Sequence, residues 1–489
     1  MKSQKYLTLP FALLAVLLVA ACAGKPAAPE GDARKIVPSA RQPEPFSLPA
    51  YSVETLPNGM ELVLIEKRDV PLVAFTLRLE GGALVDQQGR EGTGDLLAEL
   101  LTRGAGERDA QAFAETVAAV GGEFDAGNGI EALEIGGEFM SRDTELMLDL
   151  LHDVLREPML DKDEFEKLRD RRIQQLAAMK DTSLRGLTGV YGDAFIYGGH
   201  PYGRPVGGSQ ASLAGVDYAD LRNYFREHVG ADRATLTVVG DFDADVVREQ
   251  IEQRFGDWRA APAPQVTVPD TSTQPGGKVL LVDKPGATQT YFAIGNTAVS
   301  REYENRAALD VVNTVFGGRF TSMLNDALRV KAGLTYGASS RVEQLAEGGA
   351  IRMVSFTATE TTTAAIDLAL DVLDRLHAEG LDETMLASAQ TYILGLLPPD
   401  YETAADLSVA IAELEQLDLG ADYVNNYGKA VAAVDLAATR DVIDNVYPTR
   451  NEVLFVLIGD ADAIRDDISK YGEVIEMSID DPHFSPSND

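Results

Sequence analysis

Apolar positions along the chain fall into two stretches with the same order of elements. In the first, Met60–Glu66 and Leu72–Leu79 are runs of strand length rich in Val, Leu and Phe. Thr93 offers an N-cap for a helix that runs to about Thr102 and stops at Gly104, and a second helical pattern covers Ala110–Val120. Glu123–Phe139 reads as paired strands around Gly127-Asn128-Gly129. Helical spacing returns at Glu145–Leu155, Lys162–Lys180 and Asp217–His228, ahead of a strand at Thr235–Val239 and a helix at Ala244–Phe255. The Pro- and Thr-rich stretch Trp258–Gly277 breaks the pattern and is predicted to be a linker. Strands then recur at Val279–Asp283 and Thr290–Asn296, with helices at Glu304–Val315, Thr363–Ala378 and across Asp382–Leu417. A strand, Glu452–Ile458, and a closing helix end the pattern.

The two stretches match in sequence as well as in order. VLIEKRDVPLVAFTLRLEGG in the first parallels LLVDKPGATQTYFAIGNTAV in the second, and LTVVGDFDADVVREQIEQRFGDW parallels LFVLIGDADAIRDDISKYGEV. Each member of the latter pair is a strand closing on Gly-Asp, at Gly240 and at Gly459. Two matches in the same order point to an internal duplication. Strands followed by runs of helices in each copy predict an α+β fold. It would comprise two homologous α/β-sandwich domains, each a mainly antiparallel sheet covered by helices. The expected boundaries are 51–257 for the first domain, 258–277 for the linker, 278–476 for the second domain and 477–489 for a tail.

The first 50 residues do not share this pattern. Lys2 and Lys5 precede an apolar run from Phe11 to Ala21, too short to cross a hydrocarbon layer that needs ~20 residues but suited to a cleaved signal. Val19-Ala20-Ala21-Cys22 is similar to a bacterial lipobox, so residues 1–22 are predicted to be a lipoprotein signal peptide with lipid attached at Cys22. Ala23 after the cysteine suggests the outer membrane, facing the periplasm. Residues 23–50, rich in Pro and Ala, are expected to form a flexible tether. Cys22 is the only cysteine, so no disulfide can form within one chain. Lys and Arg number 43 against 77 Asp and Glu, a net charge of −34, which repels phosphate backbones and argues against nucleic-acid binding.

LPNGMELVLIEKRDVPLVAFTLRLEGGALVDQQGREGTGDLLAELLTRGAG resembles the opening of an insulinase-type (pitrilysin-type, inverted-zincin) metallopeptidase domain, and HPYGRPVGG at His200–Gly208 resembles another segment of that family. The resemblance implies a zinc site in active members: two histidines four apart on one helix, a glutamate before the second as general base, and a distant glutamate as third protein ligand. Here those positions read Asp95, Ala98, Glu99 and Gln175. Ala98 cannot accept a proton, and loss of a general base alone removes ~10²–10⁴-fold. The five histidines, at 152, 200, 228, 377 and 483, form no alternative pair at helical spacing. Asp95 and Glu99 share a helical face, but oxygen-ligated cation sites gather six or more ligands; the plainer expectation pairs Glu99 with Arg103 one turn on and places Asp95 favourably near the helix N-terminus.

The second half retains what the first has lost. Leu328-Arg-Val-Lys-Ala-Gly-Leu-Thr-Tyr336 resembles the family's Arg-x-x-x-Gly-Leu-x-Tyr motif, intact as Arg329, Gly333, Leu334 and Tyr336. In the family this pair hydrogen-bonds the substrate carbonyl near the zinc. Without that resemblance, Arg329 would read as capping a helix C-terminus and Tyr336 as filling a strand position. In some bacterial members of the family one subunit carries the zinc motif and the other a degenerate zinc motif with an intact arginine/tyrosine pair. This sequence resembles the second kind, and that resemblance implies a non-catalytic, substrate-binding subunit of a heterodimeric metallopeptidase. It would bind no cofactor itself, hold peptide with Arg329 and Tyr336, and pair with a zinc-bearing homologue. A peptidase-derived scaffold or peptide-binding protein at the outer membrane, and a stand-alone hydrolase with an altered metal site, are the alternatives.

Overall fold

The computed structural model describes residues 46–486. The expected signal peptide, Cys22 and most of the expected tether lie outside the described residues.

The first sheet contains β1 (Val53–Thr55), β2 (Glu61–Glu66) and β3 (Leu72–Glu80). A two-residue ribbon, β4 (Gly104–Ala105) with β5 (Arg108–Asp109), stands apart from it. β6 (Glu123–Asn128), β7 (Ala132–Met140) and β8 (Ala234–Gly240) complete the sheet in the order β1-β2-β8-β3-β7-β6. The second sheet uses β9 (Lys278–Asp283), β10 (Gln289–Ala298), β11 (Ala338–Leu345), β12 (Gly348–Ala358), β13 (Leu454–Gly459) and β14 (Glu473–Ser478). Its order is β11-β12-β10-β13-β9-β14.

Taken from its other edge, the second sheet repeats five strands of the first. β2 runs parallel to β8 as β9 does to β13, and the remaining shared pairs are antiparallel. The sixth strand differs. β1 lies antiparallel to β2 and precedes it in sequence, whereas β14 lies parallel to β9 and comes from the far end of the chain. The fold class is the expected one, mixed sheets covered by helices, with the duplication visible in topology.

Four helices of the first half build its core and the surface around the zinc-type positions, α1 (Thr93–Leu101), α2 (Ala110–Ala119), α3 (Thr144–Arg156) and α4 (Lys162–Thr182), and a fifth, α5 (Leu184–Ile196), follows them in sequence. Leu96, Leu97, Leu100 and Leu101 of α1 and Met147, Leu148, Leu151 and Val154 of α3 are buried in one core with Phe75, Leu77 and Ile135 of the sheet. An equivalent core fills the second half under Phe292, Ile294 and Leu457.

The opposite faces of the two sheets are covered crosswise. On α5, Leu187, Tyr191 and Ala194 pack against Leu280, Val282, Ala293 and Val456 of the second sheet. The helix Ala404–Gln416 in turn buries Leu407, Ile411 and Leu414 against Val63, Ile65, Ala74 and Val239 of the first. Thr76 Oγ1 and Ser408 Oγ share a buried hydrogen bond of 2.8 Å across that contact. The two halves, 51–257 and 278–476, are therefore interlocked rather than merely adjacent. Each sheet borrows a helix from the other half, which is why β8 and β13 are buried along their whole length.

Three boundaries move. Phe46 and Leu48 are packed on the fold: Phe46 stacks on Tyr401 at 5.2 Å, and the Leu48 N–H donates to Asn425 Oδ1 at 2.7 Å. Residues 477–486 are likewise built into the fold. Met477 and Ile479 are buried, and Phe484 packs edge-on against Tyr191 with centroids 5.0 Å apart. The helical pattern across Asp382–Leu417 divides into Glu383–Leu396 and Ala404–Gln416 around Pro398 and Pro399, where proline cannot continue the backbone ladder.

Candidate functional site

The N-terminus of α1 is built by glycine and one buried carboxylate. Gly92, not Thr93, occupies the N-cap position; it has φ +95°, and a Cβ there would come within 2.8 Å of Leu213 and 3.0 Å of Gly208. Gly208 ends the HPYGRPVGG segment, so that segment packs directly against the start of α1. Thr93 instead donates its hydroxyl to Arg90 O at 2.6 Å. Asp86 does the capping, accepting from the N–H groups of Gly92 (2.8 Å) and Gly94 (2.9 Å).

Burial pushes the Asp86 carboxyl up to about 7, against the lowering pull of those two N–H groups. The folded state thus holds this proton more tightly than the unfolded chain. The associated stability is present below the ordinary carboxylate value of 3.8 and is lost as pH rises through about 7. Asp86→Asn is expected to flatten the fall in stability across that window, by up to ~1.4 kcal/mol per pH unit. Chemical denaturation of both proteins at pH 5 and pH 7 measures it.

One turn into α1, the zinc-type positions are filled by an ion cluster. Glu99 Oε1 accepts from Arg103 Nη2 at 3.0 Å and from Arg171 Nη2 at 2.8 Å, and Glu99 Oε2 accepts from Arg172 Nη2 at 3.0 Å. Asp95 Oδ2 also lies 3.0 Å from Arg172 Nη2, without the alignment of a hydrogen bond. Burial raises the Asp95 carboxyl, Arg172 pulls it down, and Glu99 pushes it up again. Ala98 is sealed in the core. Gln175 is exposed on α4, at helical spacing from Arg171 and Arg172. The Glu99–Arg103 pair at i,i+4 is the one expected from sequence; Arg171 and Arg172, 72 and 73 residues from Glu99, give no such local signal.

Zinc requires deprotonated donors with lone pairs free to bind it. Both oxygens of Glu99 already accept from guanidinium groups, Asp95 faces Arg172, Gln175 is neutral, and Ala98 supplies no base. These residues do not fit the metal. Among the described residues no group of three or more His, Cys, Asp or Glu is arranged to hold an ion.

Arg329 and Tyr336 flank a tight reversal of the chain. Arg329 lies in the π-helical turn Asp326–Lys331, which ends when the Leu334 N–H reaches back to Leu328 O at 2.9 Å. That reversal requires φ +66° at Gly333, a conformation that favours glycine. Leu334 then packs on the second core. Thr357 Oγ1 donates to Leu334 O at 2.7 Å, and Ser355 Oγ donates to Gly337 O at 2.9 Å. Asn325 ties the preceding turn together, donating to Phe320 O at 2.6 Å and accepting from the Ala338 N–H at 3.3 Å. Thr357, Ser355 and Asn325 carry no signal that sequence reading could have found.

Between these anchored neighbours the Tyr336 side chain is 82% exposed. Among the described residues it makes no side-chain hydrogen bond, and neither does Arg329, whose guanidinium sits 4.7 Å over the 64%-exposed ring of Phe320. Tyr336 precedes β11 and fills no strand position, and Arg329 caps no carbonyl. The described contacts do not bring this pair to Asp95 and Glu99; the two motifs are separate features of one chain.

Two family models match. The model described as "Insulinase (Peptidase family M16)" covers residues 62–197, and "Peptidase M16 inactive domain" covers residues 215–393. An uncharacterised zinc protease of Mycobacterium tuberculosis is 27% identical over 379 residues, 77% of this chain and 84% of that protein. Subunit 1 of the mitochondrial cytochrome b-c1 complex of Bos taurus is 22% identical over 55% of this chain and 56% of that protein. Among solved structures, a peptidase M16 inactive domain from Pseudomonas fluorescens aligns with TM-score 0.78 at 19% identity, covering 84% of this chain and 98% of that one. A Helicobacter pylori protease aligns with TM-score 0.76 at 18% identity, over 84% of this chain and all of that one. The family models between them span well over half of the sequence, the first within the first half and the second running from the end of that half into the other, and the chain belongs to the insulinase (M16) peptidase family.

Proposed function

We propose that this chain is a non-catalytic, peptide-binding subunit that pairs with a zinc-bearing M16 homologue and lends Arg329 and Tyr336 to that partner's active site. The observation that carries the reading is the contrast between the two motifs. The zinc-type positions are closed by arginines, whereas Tyr336 stands free on a backbone pinned at both sides. A guanidinium and a phenol held this way are suited to stabilise the oxyanion that develops during peptide attack, because such donors need no reorganisation at the moment of reaction. Zinc belongs to the partner in this scheme, and the lipid on Cys22 tethers the subunit to the outer membrane, facing the periplasm.

A purely structural role would leave unexplained a Tyr336 that is anchored at its neighbours and unpaired among the described residues. The experiment is to purify this chain and a homologue with an intact His-x-x-Glu-His, separately and together, and to follow cleavage of a fluorogenic peptide. Activity is expected only in the mixture. Equal activity of the homologue with and without this chain would remove the proposal.

A further inference from the structure

The cluster that closes the zinc-type positions has chemistry of its own. Three guanidinium groups, on Arg103, Arg171 and Arg172, meet two carboxylates, on Asp95 and Glu99, so the cluster carries an excess positive charge in a chain of net charge −34. Its donors are far from saturated. Each guanidinium has five N–H groups, yet among the described residues Arg103 and Arg171 each commit only Nη2, to Glu99. The Arg171 side chain is half exposed, and its Nε and Nη1 make no hydrogen bond among the described residues. Deeper in, Arg172 Nε is buried with no hydrogen-bond partner among the described residues, although its Nη2 already bridges both carboxylates. Asn128 places both polar atoms of its side-chain amide, likewise buried and without a partner among the described residues, against the first turn of α1, where a Cβ on Gly94 would meet Nδ2 at 2.7 Å and Oδ1 at 3.1 Å. Buried donors left open in this way are satisfied by water or by a ligand.

From this geometry we infer that the former metal cradle is a carboxylate-binding site, and that it anchors a carboxylate of the peptide the subunit holds. A guanidinium with a free edge recognises a planar anion through paired, charge-assisted hydrogen bonds, and Arg171 presents such an edge beside the excess charge. The ligand class is therefore inverted relative to zinc. The inference rests on the peptide-holding reading above, but its test needs no partner subunit.

Three fluorescent peptides of one neutral sequence serve as probes: one ending in a free acid, one ending in an amide, and one amide carrying a terminal-proximal glutamate. Their binding to the isolated protein at low salt is followed by anisotropy. The free acid or the glutamate peptide is expected to bind about tenfold more tightly than the neutral amide, as one charge-assisted contact supplies; which of the two does so identifies the source of the carboxylate. That preference should vanish in Arg171→Ala and persist in part in Arg171→Lys. Because Arg171 is half exposed, neither change threatens folding. Equal binding of all three probes, binding of none, or a preference that survives Arg171→Ala overturns the inference. None of these outcomes touches the partner-dependent cleavage assay, which judges the subunit reading separately.

Discussion

Replacing Arg329 with alanine, or Tyr336 with phenylalanine, is expected to cut peptide hydrolysis by the mixed subunits ~10²-fold or more, the loss typical of one oxyanion donor. The loss should fall in kcat. A donor aimed at the developing oxyanion acts in the transition state, whereas one that merely held substrate would raise KM with kcat unchanged. Folding should hardly respond. The Tyr336 hydroxyl makes no internal hydrogen bond among the described residues, and surface changes of this kind stay within about 0.5 kcal/mol. Arg329→Ala also gives up the stacking on Phe320, so Tyr336→Phe is the cleaner of the two. Steady-state kinetics of the reconstituted pair, with thermal unfolding of each variant as control, provides both readings.

The second large effect concerns restoring the zinc site. The fourfold change Asp95→His, Ala98→Glu, Glu99→His and Gln175→Glu rebuilds the ligand set on paper, but it is expected to bind no stoichiometric zinc. Removing Asp95 and Glu99 strips Arg103, Arg171 and Arg172 of the carboxylates they now pair with, and the glutamate introduced at 175, one turn from Arg171 and Arg172, is drawn to those guanidinium groups instead of being left free for the metal. At an effective dielectric of ~20, each unit charge about 4 Å away opposes another by ~4 kcal/mol, and a dication doubles that. Glutamate at position 98 would also enter a sealed apolar position. Adding Arg171→Gln and Arg172→Gln should raise zinc affinity at least ~10²-fold over the fourfold variant, on the same Coulomb argument. Metal content after dialysis, and calorimetric titration with zinc, decide it. Tight zinc binding by the fourfold variant alone would show that the arginines are bystanders.

Features set by neighbouring residues were legible in the sequence, and features set by distant ones were not. The Gly-Asp strand ends at Gly240 and Gly459 marked a duplication that the sheets share over five strands. The Glu99–Arg103 pair followed from helical spacing, and the need for Gly333 between Arg329 and Tyr336 was implicit in the motif. By contrast, α5 and the helix Ala404–Gln416 look like ordinary amphipathic helices, and nothing local says that each covers the sheet of the other half. The run Arg-Asp-Arg-Arg on α4 reads as a solvated charged face until the fold sets Arg171 and Arg172 against Glu99. The segment from Met477 to Phe484 reads as a tail because its apolar residues are few and find partners only on strands and helices far upstream.

The same division explains the correction at the start of α1. Thr93 has the composition of an N-cap, but the cap is made by Asp86 from the loop before the helix, with Gly208 packed closely against Gly92. The helix that carries Asp95 and Glu99 is thus fastened by groups outside it.

The proposed role requires that the isolated chain be unable to assemble a zinc-activated water. The most direct test is zinc content and peptide cleavage of the purified protein alone, with and without chelator. The prediction is no bound zinc above background and no chelator-sensitive cleavage. One zinc per chain with hydrolysis that the chelator abolishes would contradict it.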